Sequence, residues 1–379
     1  MNMVDVVNRD KMKGAALEEA LAAKLREILE SVSWLKGWKV EGTGKEAEKG
    51  FDIIATIPKP AGGKARLYIE CKSEMRPSLF RMTAEKRLPE SQRSGNFIPV
   101  LALPSISARV SELCSEHGWG WYDLAGNYSL DVPGILHLEH TGNEPVQKRI
   151  RPVANLSTAE AARVMRVILD IGNVQVNWTQ RRLQSECVPR VSLGLVNKVA
   201  RHLIQEAYVE ENPQGGFRLR DPMKLLFAWR DAYRFDLHER RSYFTLLKGK
   251  ELGDALAGLA DRSAPSAAYA AFSAADFQAP HVRQSKTWLY VRRESIPEFE
   301  KRLDAKQVDS GENIVVLVPG DDGVFYPSDP LTVGKNRLQA TGLVQTFVDL
   351  SHCGERGGEA AEALLDQRLK SVWVALGIV

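Results

Sequence analysis

The sequence predicts a multidomain α/β plus α+β protein: an α/β domain over residues 1–150, a central winged helix-turn-helix over 151–222, and a C-terminal α+β domain over 223–379. Three observations carry that prediction. Helix-period and strand-period runs alternate through the first 140 residues, three helical segments and a glycine-tipped hairpin follow, and strand-like and helical runs mix again to the end. At 379 residues the chain also exceeds one ordinary core, given about 100 to 200 residues per domain.

In the first domain Leu17, Leu21, Leu25, Ile28 and Val32 recur at spacings of three and four, the apolar face of a helix. Residues 51–57 and 66–71 are strand-like and separated by Pro58, Pro60, Gly62 and Gly63, which predicts an irregular hairpin. Residues 96–103 form a third apolar run, 105–116 a helix closed by Gly118, and 122–130 and 135–140 the last strands. A polar, proline-containing link follows. Ser157 with Glu160 three residues on signals a capped helix to about residue 170. Residues 178–187 make a second helix, and Ser192 caps a third that runs to about Glu206. Residues 208–211 and 217–220 then flank Pro213-Gln214-Gly215-Gly216, the wing.

Beyond Asp221 the pattern predicts helix at 223–233, Gly and Ala alternating with Leu at 246–261, and an alanine-rich helix and turn at 264–275. Strands are expected at 288–292, 314–318 and 324–326, and amphipathic helices at 345–351 and 358–373.

Charge sharpens the partner class. The chain carries 51 Lys and Arg against 48 Asp and Glu, a net +3 that excludes a polycationic tail. From Lys148 to Lys250, however, 19 basic residues face 10 acidic ones, an excess of +9, so the rest of the chain sums to −6. A basic segment coinciding with a winged helix points to double-stranded DNA. On the third helix Val196, Val199, Ala200, Leu203 and Ile204 form the inward stripe, and Gly194, Asn197, Lys198, Arg201 and Gln205 the outward face. Arg and Lys reach guanine edges or phosphate, and Asn and Gln pair with adenine. Arg181, Arg182 and Arg190 are placed to clamp phosphates beside Ser192, and Arg218 and Arg220 follow the wing tip.

Several classes are excluded or disfavoured. Cys71, Cys114, Cys187 and Cys353 are far apart with no CxxC pair, against a disulfide scaffold or zinc finger. The longest uncharged run, 94–108, contains Pro99 and Pro104 and is too short to span a bilayer, and the N-terminus lacks an apolar signal centre, so a cytoplasmic protein without membrane contact is expected. His137 and His140 fall on opposite faces of a strand, His352-Cys353 has no third partner, and Asp321-Asp322-Gly323 reads as a turn. Trp34, Trp38, Trp119 and Trp121 are expected as core or interface anchors.

The strand ending Tyr68-Ile69-Glu70-Cys71-Lys72 puts Glu70 and Lys72 on one face, with Asp52 approaching from the adjoining strand. This D…ExK arrangement resembles the restriction-endonuclease-like superfamily. The resemblance implies a restriction-endonuclease-like first domain in which Asp52 and Glu70 hold Mg²⁺ and Lys72 orients the attacking water, with Glu18 or Glu19 as a further ligand and Gln92 as a polar helper. Retained nuclease folds also serve as binding platforms, so a Mg²⁺-dependent nuclease stands as the alternative function.

Taken together, Tyr122-Asp123-Leu124-Ala125-Gly126-Asn127, Ile69-Glu70-Cys71-Lys72, Arg218-Leu219-Arg220-Asp221-Pro222, Leu225-Leu226-Phe227-Ala228-Trp229 and Gly354-Glu355-Arg356-Gly357-Gly358-Glu359-Ala360-Ala361 resemble the AbiEi-type antitoxins and transcriptional regulators of type IV, abortive-infection toxin-antitoxin systems. The resemblance implies a repressor of its own operon, functionally linked to a nucleotidyltransferase-like toxin and active in phage defence. The better-known antitoxins begin with the winged helix, whereas about 150 residues precede it here. A homodimer is expected from two-fold operators.

Overall fold

Seven strands lie across the first sheet in chain order, β1 (Lys39–Gly42), β2 (Ile53–Pro58), β3 (Lys64–Cys71), β4 (Phe97–Leu103), β5 (Gly120–Asp123), β6 (Tyr128–Val132) and β7 (Leu136–His140). The computed structural model describes residues 14–42, 51–59, 62–87, 97–144, 154–259, 266–326 and 338–378. The chain divides into two units, Met1–Arg151 and Pro152–Val379, treated separately below.

In the first unit β1, β2 and β3 form an antiparallel meander, and β3, β4 and β5 run parallel. Parallel pairing needs crossovers, which α2 (Pro77–Arg87) and α3 (Ala108–Glu116) supply. Helix α1 (Ala15–Glu30) buries Leu17, Leu21, Leu25, Ile28 and Leu29 against Ile53, Leu67 and Ile69 on one sheet face. Phe80, Val110, Leu113 and Trp119 pack with Tyr68 and Leu101 in a second cluster. Covered on both faces, β4 is apolar throughout, and its Ile98-to-Leu103 run is buried at every position. The apolar run expected at 122–130 divides into β5 and β6, because Gly126 turns the chain at φ 90°. Trp119 and Trp121 are buried as expected, whereas Trp34 is 58% exposed and anchors no core.

The second unit begins with α4 (Ala159–Leu169), α5 (Gln180–Glu186), α6 (Leu193–Gln205) and the two-stranded sheet of β8 (Val209–Glu211) and β9 (Phe217–Leu219). The cap of α4 is Thr158, whose hydroxyl accepts from Ala161 N at 3.2 Å, one residue beyond the Ser157 that the sequence pattern favoured. Helix α7 (Pro222–Ala232) leads into a five-stranded sheet ordered β11 (Ala267–Tyr269), β12 (Thr287–Val291), β14 (Ile314–Val318), β10 (Glu239–Phe244), β13 (Lys306–Gln307). Helices α8 (Gly249–Ala257) and α10 (Ile296–Leu303) pack on one face of it, with Leu256, Phe299 and Leu303 against Leu289, Ile314 and Val316. On the other face, α9 (Ala271–Gln278), α11 (Leu343–Ser351) and α12 (Glu355–Leu364) share one apolar core with α4 to α7.

Two expectations change here. Residues 267–269 of the alanine-rich stretch are a strand before α9, since small residues fit a buried strand as readily as a helix. Residues 324–326, expected as a strand, fall at the end of a 3-10 turn, Asp322–Phe325. Strand β10, rich in Glu and Arg, has little apolar alternation to read and pairs through its backbone with β14.

Candidate nucleic-acid interface

Ser192 starts α6 by accepting a hydrogen bond from Leu195 N at 3.2 Å. Val196, Val199, Ala200 and Leu203 are buried in the core with Trp178 and Phe217. At 3.6 residues per turn, burial of that stripe turns Gly194, Asn197, Lys198 and Arg201 outward, and all four are exposed. Ile204 and Gln205 sit at the margin, half-buried. His202 is buried, and burial holds its imidazole below the usual range, so it adds no charge to this face at neutral pH.

Beside α6 lies a cleft of about 570 Å³ between α6, the start of α5 and the hairpin. Trp178, Phe217, Leu193 and Ile204 form apolar walls, and Arg181 and Arg201 bring guanidinium groups to it. Among the described residues neither arginine makes an ion pair, and Lys198 makes none. Glu211 is the acidic residue of the lining. Arg182 lies over the Trp178 ring at 5.2 Å, a cation–π contact that still leaves it exposed. Arg190 is exposed in the turn before α6, and its carbonyl accepts from Arg163 at 3.4 Å.

The hairpin arginines differ. Arg218 pairs with Glu210 directly across the hairpin, and Arg220 Nη1 meets the other Glu210 oxygen at 3.2 Å. Glu210 is the residue that reading by spacing missed. Its signal was the hairpin register, which sets residue 210 opposite 218.

In the first unit the triad is brought together at the end of β3. Lys72 Nζ lies 2.9 Å from Glu70 Oε1, and Asp52 Oδ2 accepts the backbone N–H of Cys71 at 2.7 Å. Glu70 is 2% exposed, so it is no solvated strand end, whereas Lys72 is half-buried. Burial, then the Asp52 and Glu18 carboxylates, push the Cys71 thiol up, which keeps it protonated. Glu18 thus acts on this region from α1 through its charge, Glu19 is exposed, and Gln92 lies outside the described residues. One oxygen of each carboxylate is engaged, Glu70 Oε1 by Lys72 and Asp52 Oδ2 by a peptide N–H, and among the described residues no three His, Cys, Asp or Glu side chains converge on one point.

The Tyr122–Asn127 motif also has a structural explanation. Asp123, 1% exposed, accepts from Asn127 N at 3.0 Å and Ile106 N at 3.3 Å, tying the β5–β6 turn to the loop before α3.

Residues 218–370 match a family model described as "Transcriptional regulator, AbiEi antitoxin, Type IV TA system". No curated protein and no solved structure matches the chain. The match starts in β9 and covers the five-stranded sheet with most of its helices, so α6 lies outside it. Among the described residues no helix is long and apolar enough to cross a membrane.

Proposed function

We propose, from the match of residues 218–370 to the AbiEi antitoxin family of transcriptional regulators, that the chain is a cytoplasmic, DNA-binding repressor of its own toxin-antitoxin operon. Helices α4 to α6 and the β8–β9 hairpin act as a winged helix-turn-helix, with α6 in the major groove of a double-stranded operator. The observation that carries this reading is the α6 surface: Gly194, Asn197, Lys198 and Arg201 stand out from the packed stripe of the helix, beside a cleft holding the Arg181 and Arg201 guanidinium groups, which make no ion pair among the described residues. Gly194 has no heavy atom within 4 Å of where a Cβ would stand, so a base edge can approach its backbone. Arg182, Arg190 and Ser192 flank the phosphates, the homodimer matches a two-fold operator, and the regulated partner is a nucleotidyltransferase-like toxin used in phage defence.

The first unit, in this reading, is a restriction-endonuclease-like scaffold that adds DNA contacts without cutting. The engaged state of Asp52 and Glu70 supports a scaffold over the alternative of a Mg²⁺-dependent nuclease.

A fluorescence-anisotropy titration of the full chain against DNA from upstream of its own gene tests the reading. Binding that prefers this DNA over random duplex and weakens with salt is expected, since each phosphate neutralised adds about −0.9 to the slope of log K against log salt. Equal affinity for both duplexes would refute it.

A further inference from the structure

Two arginines enter the core of the second unit from α4, and their side-chain hydrogen-bond partners come from the C-terminal half. Asp321, 8% exposed, is shared by both: Arg163 Nη2 stands 2.6 Å from Oδ1, and Arg166 Nη1 stands 3.0 Å from Oδ2. Arg166, 1% exposed, also donates from Nε to Gln345 Oε1 at 2.6 Å. Gln345 passes the connection along α11, donating to Asp349 Oδ1 at 2.7 Å and to the Tyr233 hydroxyl at 2.9 Å. In the other direction Arg163 Nη1 donates to the carbonyl of Arg190, in the turn just before α6. The site has been kept open for these atoms: a Cβ on Gly323 would stand 2.6 Å from Arg166 Nη1 and 2.6 Å from Asp321 Oδ2. Asp321-Asp322-Gly323 is therefore more than the turn its sequence suggests.

Buried ion pairs are poor sources of net stability, because desolvation offsets most of the attraction; what they fix well is geometry. The geometry points to Asp321 and Arg163 as positioning residues for DNA reading, which hold the α5–α6 turn, and with it α6, in register from the C-terminal half of the unit. This rests on the DNA-reading proposal above. A helix entry held loosely by even about 1 Å keeps its charge near DNA but loses its base contacts, so discrimination suffers before affinity does.

The test measures the full-length wild type, Asp321→Asn and Arg163→Lys against the upstream duplex and a random duplex across a salt series, with thermal unfolding followed in parallel. Expected is a loss of about tenfold in the ratio of the two affinities for both variants, with random-duplex affinity and its salt slope as in wild type. Lysine keeps the charge of residue 163 but cannot reach Asp321 and the Arg190 carbonyl together, so it carries the test if Asp321→Asn fails to fold. A wild-type ratio retained by a folded variant, whatever its unfolding temperature, overturns the inference and shows Asp321 to be structural only. A wild type without preference for the upstream duplex refutes DNA reading itself, and this inference with it, before any variant is compared.

Discussion

The buried and the exposed charges of the second unit answer to different physics. Around α4 and α11, Arg166, Gln345, Asp349, Tyr233 and Tyr290 are hydrogen-bonded into one network, and all but the half-buried Tyr233 are buried. On α5 and α6, Arg181, Lys198 and Arg201 face solvent with no ion pair among the described residues. The first group can fix geometry but cannot meet a ligand, and the second can meet a polyanion but fixes little. Arginine content alone therefore says nothing about role; the partner of each guanidinium does.

The buried side breaks most visibly through Asp349. Its carboxyl is pushed up to about 7, first by burial, and Tyr290, Gln345 and Arg166 pull against that rise. A folded value above the unfolded one means that the native state holds more protons between about pH 4 and pH 7, so this group's contribution to stability falls as pH rises through that window and is level above it. His238 runs the opposite way: burial lowers it to about 4, so its contribution rises with pH between about 4 and 6.5. The clean measurement is the difference between Asp349→Asn and wild type in urea unfolding. That difference should shift in the variant's favour from pH 4 to pH 7, by up to a few kcal/mol as an order of magnitude, and then stay constant. A difference independent of pH would place Asp349 in a better-solvated setting than its burial implies.

On the exposed side, Arg201→Ala should weaken binding to the upstream duplex by about 10- to 100-fold, a base-edge loss of roughly 1 to 3 kcal/mol, and should relax sequence preference. Arg181→Ala should weaken all duplexes alike and reduce the salt slope by about one. The opposite pattern would exchange the two roles.

How much of this could be read from residues depends on what each feature requires. Ser192, the Val196-to-Leu203 stripe and the Gly215-Gly216 tip announce α6 and the hairpin because capping, helical period and turn chemistry are local. The meander of β2 and β3 with Asp52, Glu70 and Lys72 at one end is legible for the same reason. Partnership is not local. Arg163 and Asp321 are separated by 158 positions, and Glu210 meets Arg218 only once the hairpin register is set. Strand β10 escaped because its pairing is carried by backbone along Ile314–Val318, while half of its side chains are charged.

The β8–β9 hairpin offers a smaller effect of informative sign. Arg218→Ala and Arg220→Ala should change DNA affinity by less than about threefold, since each guanidinium already serves Glu210 and exposed pairs are worth about 0 to 1 kcal/mol. Glu210→Gln should instead strengthen binding and steepen the salt slope, because it releases both arginines toward phosphate. Weakening in the glutamine variant would mean that the ion pairs shape the hairpin for DNA, placing them with the buried group.

Lys72 extends the contrast to the first unit and predicts the smallest change of all. Its ammonium sits 2.9 Å from a carboxylate that is 2% exposed, and the neighbouring Asp52 is bound to a peptide N–H. The lysine that would orient an attacking water is held by Glu70 Oε1. Incubation of single- and double-stranded DNA with Mg²⁺ or Mn²⁺ should therefore give the same products with wild type and Lys72→Ala. Cleavage present in wild type and lost in the variant would turn this pair from a structural contact into a reactive one, and would reinstate the nuclease reading.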